Sequence, residues 1–229
     1  MTAAPPCERG QGANSHLVTQ GRFIVLEGAD GVGKSTQAAR LADALDAVLT
    51  REPGGTAIGS RLRALLLDRS SSGLDPRAEA LLMAADRAQH VAEVVRPALQ
   101  AGRHVVADRY LYSSVAYQAF GRGLPVDDIR GLSLWATNDL EPDLVVLLEG
   151  PRRRTPGDRF EHEDADFHER VLAGYRAQAA ADPARWVVVN AGRSIEETAA
   201  QLAHVVHDRL ALKGAPHAAT TETTQRGAR

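Results

Sequence analysis

The chain is poor in the features that define several protein classes. It has one cysteine, Cys7, in 229 residues. That excludes an intramolecular disulfide framework and suits a reducing compartment, so a cytoplasmic location is expected. No apolar run approaches the roughly 20 residues needed to span a bilayer. The first 20 residues have no apolar h-region, so they do not read as a secretory signal. There is no excess of one charge: 27 Lys and Arg stand against 29 Asp and Glu, a formal net charge of −2. That argues against a mainly electrostatic nucleic-acid or membrane binder. No internal repeat and no internal linker divide the chain.

What remains is ordinary for a soluble α/β domain, with 44% hydrophobic and 24% charged residues. Residues 1–20 and 213–229 are polar and rich in small residues, and are expected to be disordered extensions of a single domain over 21–212. Within it, short apolar runs alternate with segments of helical period. The runs are Phe23–Leu26, Ala47–Leu49, His104–Ala107, Leu144–Leu148 and Trp186–Val189. Continuous runs of this length suit strands buried on both faces of a parallel sheet. Helical spacing links Ala38, Leu41, Ala42 and Leu45, then Ile58, Leu62, Leu65 and Leu66. It also links Leu81, Ala85, Ala88, Ala92 and Val95; this helix and that of Ile58–Leu66 read equally as core, with Leu81, Ala85 and Ala88 as a stripe, or as a dimer interface. The last helix opens on Ser194 with Glu197 three residues on, a capping-box pattern. The expectation is a three-layer α/β domain with five strands.

Gly28-Ala29-Asp30-Gly31-Val32-Gly33-Lys34-Ser35 matches the Walker A pattern and is followed by Thr36. The glycines let backbone N–H groups face phosphate oxygens. Lys34 supplies a point charge near the β- and γ-phosphates, and the Ser35 hydroxyl can ligate Mg²⁺. The following helix aims its positive end at the same anions. The motif lies between an apolar run and a helical pattern, as a nucleoside-triphosphate site requires. Farther on, the third run ends in Asp108-Arg109-Tyr110. A carboxylate at the end of a parallel strand sits where α/β sheets bind ligands. Two roles fit Asp108: holding Mg²⁺, through water, or orienting an acceptor phosphate. Arg109 can clamp that phosphate. Taken alone, the pair fits a surface ion pair equally well.

Five segments in one order carry a resemblance. They are Gly28–Ser35, Thr50-Arg51-Glu52-Pro53-Gly54-Gly55-Thr56, Ala85-Asp86-Arg87, Asp108-Arg109-Tyr110 and Ser114-Val115-Ala116-Tyr117-Gln118. Together the chain resembles bacterial thymidylate kinases from about Arg22 to Leu210. The resemblance implies a P-loop fold with a five-stranded parallel sheet, a homodimer, and Mg²⁺-dependent transfer of the γ-phosphoryl of ATP to dTMP. It implies that Asp30 meets the sugar hydroxyl or the transferring phosphates, and that Arg51 and Glu52 line the acceptor phosphate and metal region. Arg87 and Gln118 would meet the thymine edge, with Met83 as an apolar wall one helical turn from Arg87. Arg109 would hold the dTMP phosphate, Tyr117 would pack near the deoxyribose, and Ser114 would complete the pocket.

One stretch departs from the family. Between Leu148 and Asp158-Arg159-Phe160-Glu161 the chain is short by about two helical turns, and the lid helix seen in relatives has no counterpart in the pattern. Arg152, Arg153, Arg154 and Arg159 are the only candidates for lid arginines, with Arg153 and Arg159 expected to be catalytic. Two other readings follow from the short lid: a nucleotide-binding homologue with little or no kinase activity, or a kinase for another nucleotide. His204 and His207 show no metal-ligand set.

Overall fold

The computed structural model describes residues 21–151 and 157–212. The two extensions, Cys7 and Arg152, Arg153 and Arg154 lie outside them.

Five strands form one parallel sheet: β1 (Phe23–Glu27), β2 (Val48–Arg51), β3 (Val105–Asp108), β4 (Leu144–Glu149) and β5 (Trp186–Asn190). Their order is β2-β3-β1-β4-β5, so the strand before the phosphate loop is central. Every predicted apolar run becomes a strand, but each strand continues one or two residues past the run. The added residues at the ends are Glu27, Arg51, Asp108, Glu149 and Asn190, all polar. Apolar patterning stops where the sheet's carboxyl edge turns from core to ligand-facing rim.

β1 is buried along its whole length. Phe23 and Val25 join Val105, Ala107, Val145 and Leu147 in one core. Ile24 and Leu26 join Val106, Val146 and Leu148 in the other. Alternation along the strand thus divides one sequence between two layers. The helices are α1 (Lys34–Ala44), α2 (Ala57–Leu67), α3 (Pro76–His90), α4 (Arg96–Gln100), α5 (Leu111–Ser114), α6 (Val126–Thr137), α7 (Ala165–Ala181) and α8 (Ile195–Leu210). α1 and α8 cover the second core through Ala38, Leu41, Leu202 and Val206. α7 covers the first through Phe167, Val171 and Tyr175. π-helical turns at Val91–Val95 and Val115–Gly121 carry α3 into α4 and extend α5. Such turns recur at functional sites. Both bonds of the Ser194–Glu197 capping box form at the start of α8.

The expected core stripe of α3 is a correction. Leu81 is 58% exposed, and Ala85 and Ala92 are exposed too. The inward row is Glu79, Met83, Arg87 and His90, with Ala80 and Asp86 beside it. Val95 is fully buried as a core reading expects, but Leu81, Ala85 and Ala92 lie on the outer face, because the inner face of α3 turns its polar groups toward the site. Ile58 and Leu65 on α2 are likewise about half exposed.

Candidate active site

The phosphate loop is shaped by the sheet beneath it. Gly28 has φ 141°, and a Cβ there would lie 2.5 Å from the Leu148 carbonyl oxygen on β4, so only glycine fits. Lys34 is buried and its Nζ donates to the Ala29 carbonyl at 2.7 Å. Burial pushes the Lys34 ammonium down to about 8, and Arg109 adds to the push against the carboxylates of Asp30, Asp108 and Glu27. A desolvated ammonium with a single carbonyl partner is poised for an anion. Ser35 Oγ donates to Asp108 Oδ2 at 2.5 Å, while Asp108 Oδ1 is buried with no hydrogen-bond partner. A hydroxyl and a carboxylate with a spare oxygen form a hard oxygen donor set, which fits Mg²⁺.

Arg109 joins this loop to the rest of the site. Its backbone is left-handed, with φ 75°. Nη2 donates to Asp30 Oδ1 at 2.5 Å and to the Tyr117 hydroxyl at 3.2 Å. Nη1 donates to Ser113 Oγ and to the Tyr175 hydroxyl. Tyr117 in turn donates to Asp30 Oδ2 at 2.6 Å. Burial pushes the Asp30 carboxyl up, but Arg109, Lys34 and the Tyr117 hydroxyl outweigh it and hold the group below the usual carboxylate range. Beneath them lies Glu27, fully buried, accepting from the amides of Tyr110 and Ser113 and from the Ser113 and Tyr175 hydroxyls. Burial pushes its carboxyl up against the pull of Arg109.

A cleft opens beside Arg109, walled by Arg63 and Leu67 of α2, Met83 and Arg87 of α3, Gln118, and Phe160. Its α3 wall is a web of buried ions. Arg87 donates to Glu52 Oε2 at 2.8 Å, to Ser133 Oγ and Ser114 Oγ at 3.0 Å each, and to the Tyr110 carbonyl at 3.3 Å. Glu52 Oε1 meets His90 Nδ1 at 2.8 Å, and His90 Nε2 meets Thr50 Oγ1 at 2.6 Å. The loop after β2 closes over this ring: a Cβ on Gly55 would lie 2.6 Å from His90 Cδ2. Asp86 Oδ1 accepts from the Gly54 amide at 3.0 Å. Lower on α3, fully buried Glu79 accepts from Gln118 Nε2 at 2.8 Å and from Arg159 Nη1 at 2.7 Å, and pairs with Arg122.

The structure therefore brings Asp30, Glu52, Met83, Arg87, Arg109, Ser114, Tyr117 and Gln118 into one cleft. Two predicted residues stand elsewhere. Arg51 is exposed and absent from the cleft lining, because strand alternation turns Thr50 and Glu52 inward and Arg51 outward. Arg63 of α2 lines the cleft, held by a bond to the Pro53 carbonyl. Arg159, expected to act as a lid arginine, is 5% exposed, and its guanidinium is committed to Glu79 and the Leu66 carbonyl. It reaches the cleft only through Glu79, which holds Gln118. Arg122, which reads in sequence as a solvated charge, pairs with Glu79 and Glu163. His204 has an acidic neighbour, Asp208 Oδ2 at 3.2 Å, and no group of His, Cys, Asp or Glu suited to a metal occurs among the described residues.

Sequence reading missed Glu27, Glu79, Asp86, His90 and Tyr175. Two signals were available. Glu27 shares strand parity with Phe23 and Val25, so it had to face the interior. Glu79, Met83, Arg87 and His90 follow at intervals of four, four and three, one inward row of a helix.

The comparisons agree with this geometry. The family profile described as "Thymidylate kinase" matches residues 26–202. The thymidylate kinase of Desulfovibrio desulfuricans is 46% identical over 212 residues, covering 84% of this chain and 98% of that protein. That of Leifsonia xyli subsp. xyli is 53% identical over 196 residues, covering 80% and 92%. The solved thymidylate kinase of Ehrlichia chaffeensis is 30% identical, with a TM-score of 0.71 and coverage of 82% and 99%. The chain belongs to the thymidylate kinase family.

Proposed function

We infer that the protein transfers the γ-phosphoryl group of ATP to dTMP, giving dTDP and ADP. The observation that carries this reading is Arg109. It touches Asp30 of the phosphate loop on one side and Tyr117 of the cleft on the other. A donor loop and an acceptor cleft thus meet at one guanidinium. An oxygen of the dTMP phosphate attacks the γ-phosphorus in line, and the bond from that phosphorus to the β–γ bridging oxygen breaks as ADP leaves. The acceptor phosphate is already a competent nucleophile at neutral pH, so the enzyme's task is positioning and charge stabilisation.

Lys34, mainly protonated at neutral pH with its ammonium near 8, neutralises the transferring phosphates. Arg109 and Arg63 hold the acceptor phosphate. Ser35 and Asp108 would hold Mg²⁺, which would draw charge from the phosphate oxygens. Arg153 supplies further positive charge from the stretch after β4. Ile58, Leu65 and Leu81, exposed on α2 and α3, supply an apolar face for a homodimer. No helix among the described residues is long and apolar enough to cross a membrane, and a cytoplasmic location fits the reaction.

A coupled ADP-release assay over dTMP, dUMP, dCMP, dGMP and thymidine tests the reading, with Lys34→Ala as the inactive control. dTMP is expected to be the preferred acceptor. ADP release that does not depend on dTMP, or that survives in the control, rejects it.

A further inference from the structure

Gln118 is 1% exposed, and its two amide ends have unequal partners. Nε2 donates to Glu79 Oε1 at 2.8 Å, whereas Oε1 is buried, has no partner, and belongs to a side chain that lines the cleft. A glutamine amide presents either a donor or an acceptor, depending on which way it is turned. Here the choice is made by Glu79. Its carboxylate is fully buried and gripped by Arg159 Nη1 at 2.7 Å and Arg122 Nη2 at 3.2 Å. An ionised carboxylate only accepts, so it takes the NH₂ end and leaves the carbonyl for the cleft.

We propose that Glu79 is a positioning residue for base selection: it locks the Gln118 amide so that only an oxygen faces the acceptor base. The inference rests on the functional reading above. A pyrimidine imide, as in thymine or uracil, offers an N–H at N3 to that oxygen. Cytosine offers a lone pair at N3, so two acceptors face each other in a buried site. Leaving such groups unpaired is far more costly than losing an apolar contact. The device selects imide bases over cytosine and is blind to the 5-methyl group. Arg159 and Arg122 act one step farther out, by holding the Glu79 carboxylate in place.

The test is the ratio of kcat/KM for dTMP to that for dCMP. In Glu79→Gln the neighbour can donate as well as accept, so the Gln118 amide can turn. The ratio is expected to fall about tenfold or more, from the side-chain energetics of an unpaired buried acceptor. Glu79→Asp retains an acceptor-only partner and is expected to recover most of the preference. A fall in kcat/KM by one common factor for both nucleotides would show a merely structural role and overturn the proposal. A measurement on the unaltered protein does not depend on the variants folding. In the ¹⁵N-labelled protein, the Gln118 side-chain amide protons should show strong nuclear Overhauser contacts to the Glu79 methylene protons, already in the absence of dTMP. Contacts to the base instead would overturn it. If dTMP is not phosphorylated at all, the functional reading fails, while the Glu79 contacts in the free protein still decide the orientation.

Discussion

The two halves of the site are built in opposite ways. The phosphate side is a contiguous stretch of chain, Gly28–Ser35, whose geometry is set by backbone and by the sheet below it. Asp30 there is tied to Arg109 and Tyr117, but Lys34 holds one carbonyl and Asp108 keeps an unpartnered oxygen. The acceptor side is a lattice of side chains from segments far apart in sequence, among them Glu52, Glu79, Arg87, Gln118 and Arg159. Its charged groups are mostly paired with one another, with Gln118 Oε1, Asp86 Oδ2 and Arg159 Nη2 the buried exceptions. The first half leaves charge ready for a ligand. The second spends its charge on shape, so its variants should disturb folding as well as binding.

The sharpest way to break that contrast is Glu52→Ala. It strands the buried Arg87 guanidinium and removes the Nδ1 partner of His90. Loss of one partner in a buried pair costs about 3–5 kcal/mol, so urea unfolding should show a large drop in stability. Lys34→Met should do the reverse. Removing one preorganised charge at the transferring group lowers kcat by about 10²–10³-fold. Stability should move by less than about 1 kcal/mol, because the lost ammonium was desolvated. Equal damage to stability in both variants would end the contrast.

Asp86 sharpens it further. Burial, reinforced by Glu52, pushes its carboxyl up to about 6. The folded protein then holds a proton that the unfolded chain has already released between about pH 4 and 6. Asp86 therefore opposes folding progressively as pH rises through that window. Asp86→Asn keeps an acceptor for the Gly54 amide and removes the charge. The variant should match the parent near pH 4 and exceed it by roughly 1–2 kcal/mol at pH 7.5. Thermal unfolding followed across pH reads this directly, and parallel curves for the two proteins would refute it.

The same contrast explains what could be read from sequence. The phosphate loop was legible because its chemistry lies within eight consecutive residues. The strands were legible from apolar runs, up to the polar residue that ends each one. Arg87, Tyr117 and Gln118 were reached through resemblance, with the helical spacing of Met83 and Arg87 as the local support. Glu79 and His90 escaped because a carboxylate or imidazole inside a helix pattern reads as solvated until its partners are known. Leu81 and Arg159 were misplaced for the matching reason. An apolar residue was assigned inward and a cation toward phosphate, while the inner face of α3 is ionic and Glu79 takes the cation.

Arg109 carries a consequence for how this protein would respond to selection. A non-glycine residue at φ 75° costs on the order of 1 kcal/mol or more, and glycine would adopt that backbone freely. Yet only arginine supplies the fork that joins Asp30 to Tyr117. Glycine would relieve that strain but leave Asp30 and fully buried Glu27 without their cation, which costs more than the strain returns, so stability and turnover both hold arginine at this position.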